Sequence, residues 1–91
     1  MRLKSEEIEL RGFWIDLGSS MVPDSTWERI NRLTAEYLQV VQRSEGADTL
    51  YRDPLDGRFW ELIYLHPELK DGGPPLLRVI APDVAIEKEA K

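Results

Sequence analysis

The chain has 91 residues, a formal net charge of −5 and a sequence pI near 4.8. This length fits one small domain, residues 1–91, with a single core and little room for a deep substrate cavity. The absence of cysteine excludes disulfides, cysteine-based metal sites and thiol nucleophiles. Because the basic residues are scattered among acids, the composition also disfavours nucleic-acid binding, which depends on neutralising phosphates.

The N-terminal segment MRLKSEEIEL carries charges but no apolar stretch of the kind found in signal peptides. No apolar run approaches the roughly 20 residues that a helix needs to span a bilayer. The sequence therefore predicts a cytosolic protein with no membrane partner.

The first predicted element is a strand in the segment IELRGFWIDL, residues 8–17. Apolar and polar residues alternate there, which is typical of a half-buried strand. The apolar positions change from even to odd numbers at Gly12. Since glycine inside a strand often marks a β-bulge, we expect a bulge at this residue.

The second predicted element is a helix from Ser25 to Gln42. Ser25 followed by Glu28 fits a capping box, and Asp24 is an alternative N-cap. Apolar residues at helical spacing form one face, namely Trp27, Ile30, Leu33, Tyr37, Leu38 and Val41.

A β-hairpin follows, with strands at residues 49–52 and 58–65 joined by the turn Asp53-Pro54-Leu55-Asp56-Gly57. Residues 76–80 form a further predicted strand, and Pro82 opens a weak helix to Lys91. The predicted fold is α+β in the order β-α-β-β-β, with a small antiparallel sheet, one main helix on one of its faces and a weak C-terminal helix.

The second strand of the hairpin is apolar on both of its faces. Trp60, Leu62 and Tyr64 share one face, and Phe59, Ile63 and Leu65 lie on the other with Glu61. A single main helix covers only one face of such a strand. The other face is therefore a predicted surface for a partner or for a homodimer.

Acidic residues are concentrated around this hairpin. Between Glu45 and Asp56 there are four acids and only one basic residue, Arg52. The segment is either a solvated loop or a surface that meets a basic partner, since complementary charge steers association.

The sequence shows no pattern of a catalytic, cofactor or metal site. His66 is the only histidine, with Glu68 and Asp71 nearby. This trio could bind a metal or relay protons, but a loop rich in proline and glycine is more often a turn. The run Gly72-Gly73-Pro74-Pro75 lacks the phosphate-binding pattern GxxxxGK[ST]. We therefore predict no enzymatic activity and no cofactor.

The stretch LYRDPLDGRFWELIYLHPELKDGGPPLL resembles immunity protein family twenty-seven, small bacterial proteins found beside polymorphic toxins. The resemblance lies in the pattern D-P-x-D-G-R-aromatic-W-E-L followed by Gly-Gly-Pro-Pro. It extends upstream to Gly12-Phe13-Trp14 and to Glu28-Arg29-Ile30, and covers most of the chain from about Glu7 to Ile80. It implies a protein that binds and neutralises a cognate toxin domain.

Given that function, we predict inhibition by occlusion of the toxin's active cleft. The candidate contacts are the charged residues of the hairpin and the loop after it: Asp48, Arg52, Asp53, Asp56, Arg58, His66, Glu68 and Asp71. Alternatively, Arg52 and Arg58 brace the hairpin against Asp53 and Asp56. The rival functions are a non-catalytic interaction subunit or homodimer, and a small enzyme built on His66.

Overall fold

The computed structural model describes residues 2–43, 48–64 and 73–89. Its strands, in chain order, are β1 (Glu9–Arg11), β2 (Trp14–Asp16), β3 (Met21–Pro23), β4 (Gln39–Arg43), β5 (Thr49–Arg52), β6 (Phe59–Tyr64) and β7 (Pro75–Ile80). Helix α1 (Ser25–Arg32) continues into a π-helical segment (Leu33–Tyr37), and α2 spans Pro82–Glu89.

Five strands form an antiparallel sheet in the order β1-β7-β6-β5-β4. Strands β2 and β3 pair with each other in a separate two-stranded sheet. The predicted α+β class, antiparallel sheet, main helix and short C-terminal helix are confirmed. The described residues contain three strands more than the predicted order, namely β3, β4 and a second strand from the segment 8–17.

The main core lies between the five-stranded sheet and helix α1. Helix α1 contacts β1 and β7. Ile30 and Leu33 are almost completely buried, as are Trp60 on β6 and Leu77 on β7. Burying an apolar side chain of this size contributes roughly 1.5–3 kcal/mol before chain entropy is subtracted.

The opposite face of the sheet is not the open surface that the sequence predicted. Glu61 of β6 is only 2% exposed, and Leu50 and Leu76 beside it are also buried. Helix α2 contacts β4, and its Ala85 is completely buried. The Glu61 carboxylate is neutralised by Arg78 on β7, whose Nη2 lies 2.9 Å from Oε1. The short C-terminal helix thus takes part in the packing.

The start of α1 is as predicted, but its end is not. The N-cap is the alternative Asp24 rather than Ser25, so the predicted capping box of Ser25 with Glu28 is wrong; Asp24 Oδ1 accepts a hydrogen bond from the Trp27 N–H at 2.9 Å. The predicted helical end at Gln42 is wrong. The Leu38 N–H donates to the Leu33 carbonyl at 2.7 Å, closing a wide π-helical turn, and Leu38 itself is extended. The chain then enters β4 because pairing with β5 outweighs the helical spacing of the apolar residues.

The predicted bulge at Gly12 is also wrong, because the chain leaves the large sheet there. Its N–H donates to the Pro75 carbonyl at 2.9 Å, and β1 and β2 on its two sides belong to different sheets. A Cβ atom at this position would lie 2.9 Å from Pro75 Cδ and 3.0 Å from Trp27 Cβ. Glycine is therefore required by close packing rather than by a bulge.

Candidate functional site

The β5–β6 turn closes as the sequence predicted. The Asp53 N–H donates to the Arg58 carbonyl at 2.8 Å, and the Gly57 N–H donates to the Asp53 carbonyl at 2.9 Å. Gly57 has a φ of 78°, a left-handed conformation that glycine adopts without strain. The tip of the turn, which carries two of the candidate acids, is thus held in one geometry.

Asp53 lies inside the protein rather than on the surface of the turn. Its side chain is fully buried, and its Oδ1 accepts hydrogen bonds from the Tyr37 hydroxyl at 2.5 Å and the Leu55 N–H at 2.8 Å. Burial, with a further contribution from the hydrogen bond to Asp53, raises the pKa of Tyr37 to about 12. Asp53 therefore joins the π-helical segment to the turn, and its carboxylate does not face solvent.

Arg58 fastens the turn to the N-terminal segment. Its Nη1 donates to the Glu7 carbonyl at 2.6 Å, and its Nη2 donates to the Lys4 carbonyl at 3.0 Å. Its Nε donates to Asp56 Oδ2 at 2.7 Å. The guanidinium also lies 5.0 Å from the centre of the Trp60 ring, within the range of a cation–π interaction. The predicted bracing of the hairpin is therefore present between Arg58 and Asp56.

Asp56 carries charge at the surface of the turn. Partial burial raises the pKa of its carboxyl, but the hydrogen bonds from the Arg58 backbone and side chain outweigh burial and lower that pKa. The Asp56 carboxyl therefore stays ionised, and Asp56 is exposed to solvent. It keeps a negative charge available at the tip.

A second ion pair anchors the N-terminal segment to α1. Arg29 donates from Nη1 to Glu7 Oε2 at 2.6 Å and from Nη2 to Glu7 Oε1 at 2.8 Å, a bidentate arrangement. The hydrogen bond from Arg29 is the main reason that the pKa of Glu7 falls from 4.5 to about 2. Folding thus favours the ionised form of this carboxyl.

Acid is expected to weaken the fold through Glu7. Because its folded pKa lies below its unfolded value, the stabilisation is complete above pH 4.5 and is lost as the pH falls toward about 2. We expect a loss of roughly 1–2 kcal/mol, since the pair is partly exposed. Urea denaturation at pH 3 and pH 6 measures it, with Glu7→Gln as the control. A Glu7→Gln variant with an unchanged pH dependence would contradict this assignment.

The exposed members of the predicted contact set lie around the tip of the turn. Arg52 and Asp56 are exposed there, and Leu55 at the tip is 64% exposed. The half-buried Asp48 precedes Thr49 and so lies at the other end of β5. An open cavity of about 460 Å³ adjoins the tip, lined by Arg2, Lys4, Ser5, Glu6, Leu55 and Asp56. Among the described residues, no three acidic or histidine side chains are grouped so as to hold a metal ion. This surface is suited to protein contacts through mixed charges.

His66, Glu68 and Asp71 lie outside the described residues.

Sequence reasoning missed a second exposed surface, the two-stranded ribbon of residues 13–23, here called the arm. The Leu17 N–H donates to the Ser20 carbonyl at 2.9 Å, and Asp16 Oδ1 accepts from the Gly18 N–H at 2.8 Å, so the turn at its end is closed. Its large apolar side chains are nevertheless exposed, namely Phe13, Trp14, Ile15, Leu17 and Met21. The alternation of Phe13, Ile15 and Leu17 is visible in the sequence, but it is equally typical of a half-buried strand.

The arm is fixed to the body at its base. Asp24 Oδ1 accepts hydrogen bonds from the N–H groups of both Phe13 and Trp27, at 3.2 Å and 2.9 Å. The rings of Trp14 and Trp27 meet edge to face, with centroids 4.7 Å apart. The N-cap of α1 thus also positions the arm.

The arm and the β5–β6 turn lie at opposite ends of the large sheet. The turn adjoins Phe59, which pairs with Ile80 at the end of β7, whereas the arm begins at Gly12 beside Pro75 at the start of β7. The six residues of β7 separate these ends by about 20 Å. Two surfaces are therefore available for contact, one charged and one apolar.

Comparison with known proteins identifies one family. The family model described as Immunity protein 27 matches residues 16–81, more than two thirds of the 91-residue chain. No curated protein and no solved structure matches the chain. Within the part of the chain that the structure describes, no helix is long and apolar enough to cross a membrane.

Proposed function

The chain belongs to the Immunity protein 27 family, and from this we propose that it binds and neutralises a cognate bacterial toxin domain. The family match is the observation that carries the proposal. The toxin would be one of the polymorphic toxins, and the protein would act in the cytosol of the cell that it protects. It would inhibit by occupying the toxin's active cleft rather than by chemistry of its own.

The charged side chains near the β5–β6 turn form contacts within the chain, and this supports a binding role. Arg58, Glu7 and Arg29 pair within the chain and hold the N-terminal segment in place. A rigid surface loses little conformational entropy when it binds, which favours tight association. Among the described residues, the ionic groups around the β5–β6 turn therefore hold the surface of the turn in one conformation.

The charge of the chain supports a basic partner. With a formal net charge of −5, the protein would be steered toward a positively charged toxin surface. Among the contacts proposed from the sequence, Asp48, Arg52 and Asp56 have solvent-accessible positions. Asp53 and Arg58 would contribute by shaping the turn, and His66, Glu68 and Asp71 stay as proposed contacts.

Co-expression tests the proposed function. We expect that bacteria expressing the toxin domain encoded immediately upstream grow only when this protein is also made, and that the two proteins co-elute as a complex. The control is the toxin domain expressed with an unrelated acidic protein of similar size. Rescue together with a stable complex would support neutralisation by binding.

Failure of both readouts would contradict the proposal. If growth is not rescued and no complex forms, sedimentation of the protein alone then distinguishes the rival function. A tight dimer would favour an interaction subunit or homodimer over an immunity protein.

A further inference from the structure

The arm exposes more apolar surface than its own fold requires. Phe13 and Leu17 are 58% and 61% exposed, and Met21 on the paired strand is 53% exposed. A two-stranded ribbon alone is only marginally stable in water. Because these large side chains stay exposed on it, they contribute little to the stability of the fold. Clustered exposed apolar groups of this kind mark interaction sites.

The apolar side chains occupy both faces of the ribbon. The strand alternation and the pairing of Ile15 with Val22 place Phe13, Ile15, Leu17 and Val22 on one face. The other face carries Trp14 and Met21, and Trp14 is 42% exposed despite its contact with Trp27. A flat partner would cover only one of these faces. The shape fits a cleft that closes around the ribbon.

The charges of the arm define the rim of that cleft. The arm contains Asp16 and no lysine or arginine, and Asp24 at its base accepts hydrogen bonds from the N–H groups of Phe13 and Trp27. An apolar cleft with basic residues at its rim complements this pattern.

A second copy of the chain fits the arm less well, because the cavities in its described part mix acids with bases. Arg2 and Lys4 share the cavity of about 460 Å³ with Glu6 and Asp56. The cavity of about 620 Å³ is lined by Glu6, Glu7, Ile8, Glu9, Arg78 and Val79. Glutamates predominate there, and they would repel the acidic arm. Two arms packed against each other would also bring their aspartates together without a basic residue from either arm.

We propose that the arm is the apolar anchor of the complex, inserted into a basic-rimmed cleft of the toxin domain. This inference rests on the proposed function and assigns the main contact to the end of the sheet opposite the β5–β6 turn. Side chains at the centre of an interface dominate its affinity, whereas charged groups at the rim mainly affect association rate.

Two matched double variants test the proposal. Phe13→Ser with Leu17→Ser removes apolar groups from the arm, and Ile8→Ser with Val40→Ser removes exposed ones, 67% and 45% exposed, that lie outside both the arm and the β5–β6 turn. We expect the arm variant to weaken binding to the upstream-encoded toxin domain by about tenfold or more, and the control by less than about threefold. Because all four side chains are exposed, both variants should fold, which circular dichroism and thermal unfolding check.

Each outcome decides between the two proposals. If the wild-type protein neither protects nor binds, the proposed function fails. If it does both and the arm variant binds within about threefold of wild type, only the arm assignment is overturned. A wild-type dimer that the arm substitutions dissociate would assign the arm to a second copy and would also overturn it.

Discussion

Replacing Trp60 with alanine is expected to lower the free energy of unfolding by about 3–5 kcal/mol. The Trp60 side chain is completely buried in the main core, beside Leu62 and Leu77, and its ring also lies under the Arg58 guanidinium. The variant would lose this packing and leave a cavity that the sheet cannot close. Since small domains are stabilised by only about 5–15 kcal/mol, a substantial fraction would be unfolded at 37 °C.

Urea denaturation followed by far-ultraviolet circular dichroism measures this effect, with Trp60→Phe as the matched control. Trp60 Nε1 is buried and has no hydrogen-bond partner among the described residues. Phenylalanine removes that donor and keeps most of the ring volume, so its cost should stay below about 2 kcal/mol. An alanine variant within about 1 kcal/mol of wild type would show that Trp60 is not central to the core.

Asp53→Lys is expected to destabilise the protein by about 4 kcal/mol or more, and Asp56→Lys by only about 1 kcal/mol. The two acids are three residues apart in the same turn but differ in environment. Lysine at position 53 would bury an ammonium group and leave the Tyr37 hydroxyl without its acceptor. Lysine at position 56 would break the partly exposed ion pair with Arg58 and the hydrogen bond from the Arg58 N–H, both near the surface of the turn.

Chemical denaturation of both lysine variants and of Asp53→Asn makes this comparison. Asparagine retains an Oδ1 acceptor for Tyr37 and Leu55, so it should be much milder than lysine. Equal losses in the two lysine variants would contradict the assignment of Asp53 to the interior. The same data decide which variant is suitable for binding studies, because only a folded variant reports on contact with a toxin.

Local signals in the sequence predicted the elements whose ends are set by short-range chemistry. The alternative cap Asp24 and the Asp-Gly turn both formed as expected, because their hydrogen bonds join residues only three to five positions apart. The end of α1 depends instead on pairing between Val40 and Tyr51. Leu38 and Val41 fit a helical face and a strand equally well, so periodicity alone could not distinguish them.

The sequence predicted where along the chain the candidate site lies, but not how its side chains are buried and paired. The charged residues of the turn were identified, but the sequence does not show that Asp53 is buried or that Arg58 binds the carbonyls of Lys4 and Glu7, more than 50 residues away. The arm was missed because its alternation is the same as that of a strand packed on a core. Its exposure follows from where Gly12 directs the chain, which is a property of tertiary packing.

The anchoring of residues 2–7 has a practical consequence for tags and fluorophores. Leu3 is buried, and Arg58 and Arg29 hold the carbonyls and carboxylate of this segment beside the β5–β6 turn. A group attached ahead of Arg2 therefore joins a segment that is held at the end of the sheet opposite the arm. Such a fusion shields one end of the molecule and leaves the other open, so surface immobilisation through it would present the arm outward.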